Sequence, residues 1–221
     1  RDAASGETVA SGNYNELNTI VFSEWIAKWL LDYSNLTLII EKRSSGASML
    51  DNLILILPKY GIDPFRRIFN WIVDESHVNP TYKEIINTPM HQRDIHFYNK
   101  HKKFFGYATS SAGKQSRSLL YGKILSSSLK YCANTVRDAL TIHQMSNLRK
   151  ENGRIDHAPG QHDDAVIAHL LGYWFLSEAK NKSHYGINTR DVLSIVTTVD
   201  VYLSGGQDVL EKQAKNNELK R

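Results

Sequence analysis

The apolar residues of the chain recur at helical intervals in four stretches. Val21 to Tyr33, Lys114 to Ala133 and a stretch from near His162 to about Lys180 carry apolar side chains every three or four residues, which is the spacing of one helix face. Ser44 to Leu57 is predicted to form a further helix. Pro58 should end it, because proline cannot donate the next backbone hydrogen bond.

Extended segments are predicted between these helices. Leu36 to Glu41 is a short apolar run, rich in β-branched residues, as in a buried parallel strand. The turn at Ser5-Gly6 indicates a hairpin whose second strand is Thr8 to Ala10, and Val136 to Gln144 is expected to contain a short strand. Strands that alternate with helices favour an α/β layer with crossover helices.

The remaining stretches are less regular. Residues 59–103 contain several prolines and many aromatic and histidine residues, so we expect an irregular insertion with short helices. A helical turn is expected around Met145 to Lys150, followed by a chain reversal at Glu151 to Gly153. After Tyr185, two helical stretches are predicted to lead to a charged end.

Composition narrows the class of protein. With 41% hydrophobic and 23% charged residues, the 221-residue chain resembles ordinary globular proteins. Cys132 is the only cysteine, which excludes an internal disulfide and a cysteine-rich zinc site and fits a reducing compartment. No apolar run approaches the roughly 20 residues of a membrane helix. The opening Arg1 is not an initiator methionine, as expected for a piece of a larger protein.

The net charge of +4 and pI near 9.0 would suit a polyanionic partner, although many proteins that bind no nucleic acid share them. Gly113-Lys114-Gln115-Ser116 lacks the glycine spacing of a phosphate-binding loop and the hydroxyl residue after the lysine. We therefore predict no nucleotide-driven motor in this chain.

Two acidic positions are candidates for chemistry. Glu41 ends the predicted buried strand, where catalytic groups collect in open α/β sheets, although a charged surface residue is an alternative. Asp163 and Asp164 begin a predicted apolar helix, where acids also serve simply to stabilise the helix start. Hard cations such as magnesium take oxygen ligands, so carboxylates from separate elements must converge if they are to bind one.

The segment from Ile155 to Ala168, together with Leu38 to Gly46, resembles the nuclease domain of the large terminase subunits of tailed bacteriophages. More distantly it is similar to herpesvirus terminases and Holliday-junction resolvases. The resemblance implies an RNase H-like α/β fold over residues 1–182, with a central mixed sheet flanked by helices. Residues 183–221 would form a helical C-terminal tail.

The same resemblance assigns the acids of the site. The later-strand acid maps onto Glu41, and the acid at the helix start maps onto Asp164 with Asp163 beside it. The stretch from Gly106 to Ser110, followed by Lys114, resembles the family's segment before the next helix. The first-strand aspartate of the family is expected before Arg1, and thus outside this sequence.

The resemblance implies a DNA endonuclease that uses two Mg²⁺ or Mn²⁺ ions. Glu41, Asp164 and Asp163 would bind metal, with His162 as a further catalytic candidate that could equally be structural. The candidate contacts to DNA phosphates are Lys42, Arg43, Lys114 and Arg117, with ordinary surface charge as the alternative. The implied substrate is concatemeric double-stranded viral DNA in the host cytoplasm, and the implied partners are a terminase ATPase domain, the small terminase subunit and the portal protein.

Three alternatives remain open at this point. A domain of this type that has lost catalysis would only bind DNA or the portal. A resolvase or transposase relative would prefer branched DNA or transfer strands. A plain α/β domain whose acids only stabilise helix ends would show no response to metal.

Overall fold

The computed structural model describes residues 1–14, 16–75, 79–109, 115–151, 153–188 and Val192. The fold is mixed α/β and mostly helical. Its longest helices are α1 (Thr19–Asp32), α2 (Ser45–Ile56) and α10 (Asp164–Glu178). Shorter helices connect them: α3 (Pro64–Arg67), α4 (Trp71–Glu75), α5 (Pro80–Asn87), α6 (Ile95–His101), α7 (Arg117–Leu119), α8 (Leu125–Cys132) and α9 (Ala139–Ser146).

The first two helices form where the sequence pattern predicts them. The Asn18 side chain caps α1 by accepting a hydrogen bond from the backbone N–H of Ile20 at 2.8 Å. After α2 the chain tightens into a 3₁₀ turn, Leu57–Tyr60, which contains Pro58. The helical spacing of apolar residues and the proline after α2 therefore suffice to locate α1 and α2. The two helices pack against each other.

The predicted helix from Lys114 to Ala133 is present from Arg117 onwards, and Lys114 lies outside the described residues. Between α7 and α8, residues Leu120–Ile124 form a π turn. The backbone N–H of Leu125 donates to the carbonyl of Leu120, five residues back instead of four. The helix is thus continuous from Arg117 to Cys132 but contains one extra residue.

The regular sheet within the described residues is a two-stranded antiparallel hairpin. Strand β1 (Leu148–Glu151) pairs with β2 (Arg154–His157). The expected reversal at Glu151 to Gly153 is confirmed, and Gly153 has a φ of +78°, in the left-handed region that suits glycine. The prediction of a helical turn around Met145 to Lys150 is wrong for the second half of that stretch, which belongs to β1.

Two predicted strands are absent. Thr8 to Ala10 has no strand partner, although the preceding turn exists: the Gly6 N–H donates to the Asp2 carbonyl at 3.0 Å. Val136 to Gln144 holds most of helix α9 instead of a strand, because Asp138 caps it by accepting from the Thr141 N–H at 2.8 Å. A local side-chain cap outweighs the strand preference of the β-branched residues here.

The run from Leu36 to Glu41 is extended but is not a full strand. Leu38 forms a parallel bridge with Ile68, and Glu41 forms one with Tyr107. The extended segment around Ile68 is short because α3 ends at Arg67 and α4 begins at Trp71. A full RNase H-like sheet is therefore not shown; the described residues have these two parallel bridges, an antiparallel bridge between Asn70 and Phe105, and the β1–β2 hairpin.

The core lies between these extended segments and α10. Phe69 and Tyr107 are fully buried, and both rings contact Trp174 of α10, with ring centroids 5.2 and 4.7 Å apart. Residues 59–103 contain short helices, as expected, and a salt bridge of 2.7 Å between Arg93 and Asp63 joins two distant parts of this stretch. Aromatic packing thus fixes α10 against the extended run that ends at Glu41.

No helix in the described part of the chain is long and apolar enough to cross a membrane. The predicted tail helices after Tyr185 fall almost entirely on residues outside the description. A 3₁₀ turn, Lys182–Tyr185, lies directly before this part of the sequence.

Candidate active site

Glu41 is held at the end of its extended segment by both backbone and side-chain contacts. Its carboxylate accepts a hydrogen bond from the hydroxyl of Thr109, a residue only 6% exposed. The next backbone N–H, of Lys42, donates to the Tyr107 carbonyl at 2.7 Å. The Glu41 side chain itself is half-buried. A carboxylate in this position is oriented by its neighbours and still reaches solvent.

The turn after Glu41 leaves little room for a side chain at Gly46. A Cβ added at Gly46 would lie 2.0 Å from the Glu41 carbonyl oxygen, which no side chain can tolerate without movement. Ser44 has a φ of 51°, which is unfavourable for residues other than glycine. Strained backbone often accompanies functional sites. The start of α2 therefore presses directly against the backbone of the candidate catalytic residue.

The neighbouring aspartates Asp163 and Asp164 have different environments. Asp163 is 5% exposed, and its carboxylate accepts hydrogen bonds from the Arg117 guanidinium and the Tyr121 hydroxyl. Its side chain makes no capping bond to α10. Asp164 is the first residue of α10 and is exposed, as is His162. Asp163 therefore anchors the start of the helix, whereas Asp164 is presented to solvent.

Arg117 joins two acids to the helix that carries it. Its Nη2 donates to Asp156 Oδ1 at 2.9 Å and also to the Asp163 carboxylate, while its guanidinium lies 5.3 Å from the centre of the Tyr121 ring. Burial alone would lower the pKa of Arg117, but the charge of Asp163 and its other neighbours raises it. The pKa of the Tyr121 hydroxyl is raised by burial and by Asp163. The cluster therefore keeps Arg117 charged and Tyr121 protonated as donors.

Thr109 connects the two acidic positions. Its hydroxyl donates to Glu41, and its backbone carbonyl accepts from the Arg117 N–H at 3.1 Å. The Arg117 side chain then reaches Asp163. Glu41 and the start of α10 are thus linked through two intervening residues, Thr109 and Arg117.

The predicted DNA contacts have mixed environments. Lys42 donates from Nζ to the Lys103 carbonyl at 2.8 Å, and burial lowers its pKa, so it braces the loop after α6. Arg43 is exposed, whereas Arg117 is engaged with Asp156 and Asp163. Lys114 lies outside the described residues.

The carboxylates suit a hard cation in chemistry but do not by themselves complete a site. Glu41 and Asp164 offer oxygen ligands of the kind that Mg²⁺ and Mn²⁺ take, and neither forms an ion pair with another described residue. Over the same part of the chain, no three Asp, Glu, His or Cys side chains come together closely enough to hold an ion. A metal bound here would need further ligands.

Three contributors to the site were not assigned from the sequence. Thr109 stood inside the segment matched to the family, but its bond to Glu41 depends on long-range pairing. Tyr121 follows Arg117 by four residues, a spacing that places both on one helix face. Asp156 was not among the candidate residues; its carboxylate accepts from the His157 backbone N–H and also binds Arg117.

No protein-family model matches the chain, and neither a curated protein nor a solved structure is significantly similar to it.

Proposed function

We propose that this chain is the nuclease domain of a viral large terminase subunit and hydrolyses phosphodiester bonds in double-stranded DNA with the aid of divalent metal. The observation that supports the proposal best is the connected series Glu41, Thr109, Arg117 and Asp163. It joins an acid at the end of an extended segment to two acids at a helix start. Those are the positions at which the family resemblance expects acids.

Glu41 and Asp164 would bind Mg²⁺ or Mn²⁺, together with the acid that the resemblance places on a strand before Arg1. When bound, such ions activate a water and stabilise charge on the leaving oxygen of the phosphodiester. Thr109 orients the Glu41 carboxylate through its hydroxyl. His162, exposed two residues before Asp164, is the candidate for protonating the departing 3′ oxygen.

Asp163 takes a positioning role in this scheme. Its carboxylate is buried and already accepts bonds from a cation and a phenol, so binding a metal would require it to leave both. By holding the start of α10 to Arg117 and Tyr121, it fixes the direction in which Asp164 points. This assigns different tasks to two adjacent aspartates.

The biological setting follows from the same proposal. The substrate would be concatemeric viral DNA, cut with little sequence selectivity at the start and end of head filling in the host cytoplasm. The partners would be a terminase ATPase domain, the small terminase subunit and the portal protein.

The test is plasmid cleavage in Mn²⁺, in Mg²⁺ and in EDTA. It uses the chain extended at its amino end by the preceding strand, because the third acid is expected there. Glu41→Gln and Asp164→Asn should each abolish metal-dependent cutting. Glu24→Gln, an equally conservative change of an exposed acid on α1, should leave cutting unchanged. Cutting that persists in Asp164→Asn would contradict the assignment.

The main rival is a binding module that has the same fold but no activity. The burial and pairing of Asp163 favour it, because they remove one acid from the possible metal ligands. That protein would retain DNA without cutting it under every metal condition. A resolvase or transposase relative would instead prefer four-way junctions over linear duplex in the same assay.

A further inference from the structure

The β1–β2 hairpin projects two arginines from one face. In the antiparallel register Arg149 lies opposite Asp156, and Arg154 lies opposite Glu151. Because side chains alternate along a strand, these four share a face, while Lys150 points to the other. All five are exposed. The hairpin therefore has a charged face and a second face that carries one lysine beside Leu148 and Ile155, with His157 at the end of β2.

An open cavity of about 440 Å³ lies against the charged face. It is lined by Arg149, Glu151, Arg154, Asp156 and His157. A concave surface with two guanidinium groups suits a phosphate, because arginine offers paired donors that match phosphate oxygens.

The two arginines of this face form no ion pairs within the part of the chain that the structure describes. Neither Arg149 nor Arg154 lies within ion-pair distance of an acid in the described chain, although each faces one across the hairpin. Asp156 is instead paired with Arg117 at 2.9 Å. Glu151 is thus the one acid on the face without such a contact, and the guanidinium groups of Arg149 and Arg154 are left to interact with a ligand.

The hairpin is attached firmly to the candidate site. Asp156 and Asp163 share the guanidinium of Arg117. At the base of the hairpin the Ala158 N–H donates to the Asn147 carbonyl at 3.2 Å. The Gln144 side chain, only 8% exposed, accepts from the Ala165 N–H in the first turn of α10 at 2.8 Å. A ligand on the hairpin would therefore be held in a fixed relation to Asp164.

We propose that the face carrying Arg149 and Arg154 binds backbone phosphates of duplex DNA beside the position of cleavage. The inference rests on the proposed nuclease function and names the surface that holds its substrate. A two-stranded ribbon fits the major groove, which is about 12 Å wide. Contacts to phosphates are independent of sequence and position the duplex. The acid Glu151 on the same face opposes this binding.

The test measures binding of a labelled duplex in EDTA over a series of salt concentrations. Each phosphate contact contributes about one to the slope of log Kd against log salt. Arg149→Ala with Arg154→Ala should lower that slope by roughly two and weaken binding. Glu151→Gln should tighten binding, a change that no purely structural role of the hairpin would produce.

Two control variants distinguish a specific effect of this face from the general effect of removing positive charge. Lys150→Ala removes a cation from the opposite face of the same hairpin, and Lys28→Ala with Lys59→Ala removes two exposed lysines near α1 and the end of α2. Both should leave the salt slope nearly unchanged. A control that reduces the slope as much as the arginine pair would overturn the inference, as would an unchanged slope in the arginine variant.

Failure of the inference and failure of the nuclease proposal give different results. A protein that cuts DNA with metal, but whose arginine variant binds normally, refutes the phosphate-binding face alone. A protein that shows the predicted binding changes but never cuts refutes the nuclease and leaves the surface in place.

Discussion

The guanidinium of Arg117 binds the carboxylate of Asp163, the residue directly before the exposed Asp164. Tyr121, one helical turn after Arg117, donates to the same carboxylate. A buried acid with two donors holds the start of α10 in place. The consequences of removing each donor can be predicted separately.

Arg117→Ala should leave Asp163 buried without its cation. Removing one partner of a fully buried ion pair costs about 3–5 kcal/mol. Because the Arg117 side chain is 22% exposed, we expect a smaller loss, about 2–3 kcal/mol in the free energy of unfolding. Tyr121→Phe, which removes one hydrogen bond to a charged group, should cost about 1.5 kcal/mol. Urea denaturation measures both. Equal stability of Arg117→Ala and wild type would refute the role of the pair.

Thr109→Val should disturb Glu41 without changing the size of the side chain. The variant loses the hydroxyl that donates to the carboxylate, whereas Thr109→Ser keeps it. If Glu41 binds metal, loss of a neighbouring donor is expected to reduce activity about 10-fold or more. Cleavage rates at a series of Mn²⁺ concentrations measure the effect. A serine variant as impaired as the valine variant would show that packing matters here and not the hydrogen bond.

Gly46→Ala should be much more harmful than Gly122→Ala, although both glycines lie in helical segments. The added Cβ at Gly46 meets the Glu41 carbonyl oxygen at 2.0 Å, whereas the one at Gly122 has nothing within 4 Å. Overpacking of this kind costs about 1–3 kcal/mol or more. An unhindered alanine should be neutral or stabilise by about 0.5–1 kcal/mol. Thermal denaturation of the two variants side by side makes the comparison, and similar melting temperatures would contradict it.

Stability should decrease as pH falls from about 6.5 to about 4 because of His169. Burial, followed by the nearby charge of Arg1, lowers the pKa of this histidine from 6.5 to about 4, and its Nδ1 accepts from the Arg1 guanidinium at 2.7 Å. The unfolded chain therefore binds a proton in this range that the folded chain does not. The contribution is fully present above pH 6.5 and is lost through the window, at up to about 1.4 kcal/mol per pH unit.

The check is urea denaturation of wild type and His169→Gln at pH 7.5 and pH 5. The variant should show a smaller loss of stability between the two conditions, because glutamine does not titrate. Parallel losses in both proteins would assign the pH dependence to other groups.

Helices with a long apolar stripe could be predicted from this sequence, and pairing between distant segments could not. The spacing of Val21 to Tyr33 locates α1 to within two residues at each end, because that helix buries one face. Leu36 to Glu41 is extended as predicted, but the residues that bridge to it, Ile68 and Tyr107, lie far along the chain. Period alone gives no information about such partners.

The incorrect strand predictions have local causes. The β-branched residues from Val136 to Gln144 favour a strand, yet Asp138 followed three residues later by Thr141 provides an N-cap that starts α9. At the candidate site, the sequence singled out candidate acids but gave no information about their environments. Whether Asp163 or Asp164 is buried depends on Arg117, which arrives from a helix more than 40 residues earlier.

The extra residue at Leu120–Ile124 gives this helix a place where its length can change without moving the site. In the π turn Leu125 takes the position over Leu120 that the residue four places on holds in an ordinary α-helix. The segments before and after the turn therefore keep nearly the rotation of an uninterrupted helix, with Arg117 facing Asp163 on one side and Cys132 buried on the other. Loss of one residue within the turn should leave that pairing intact, whereas loss of one residue from α8 would rotate the two ends by about 100° relative to each other.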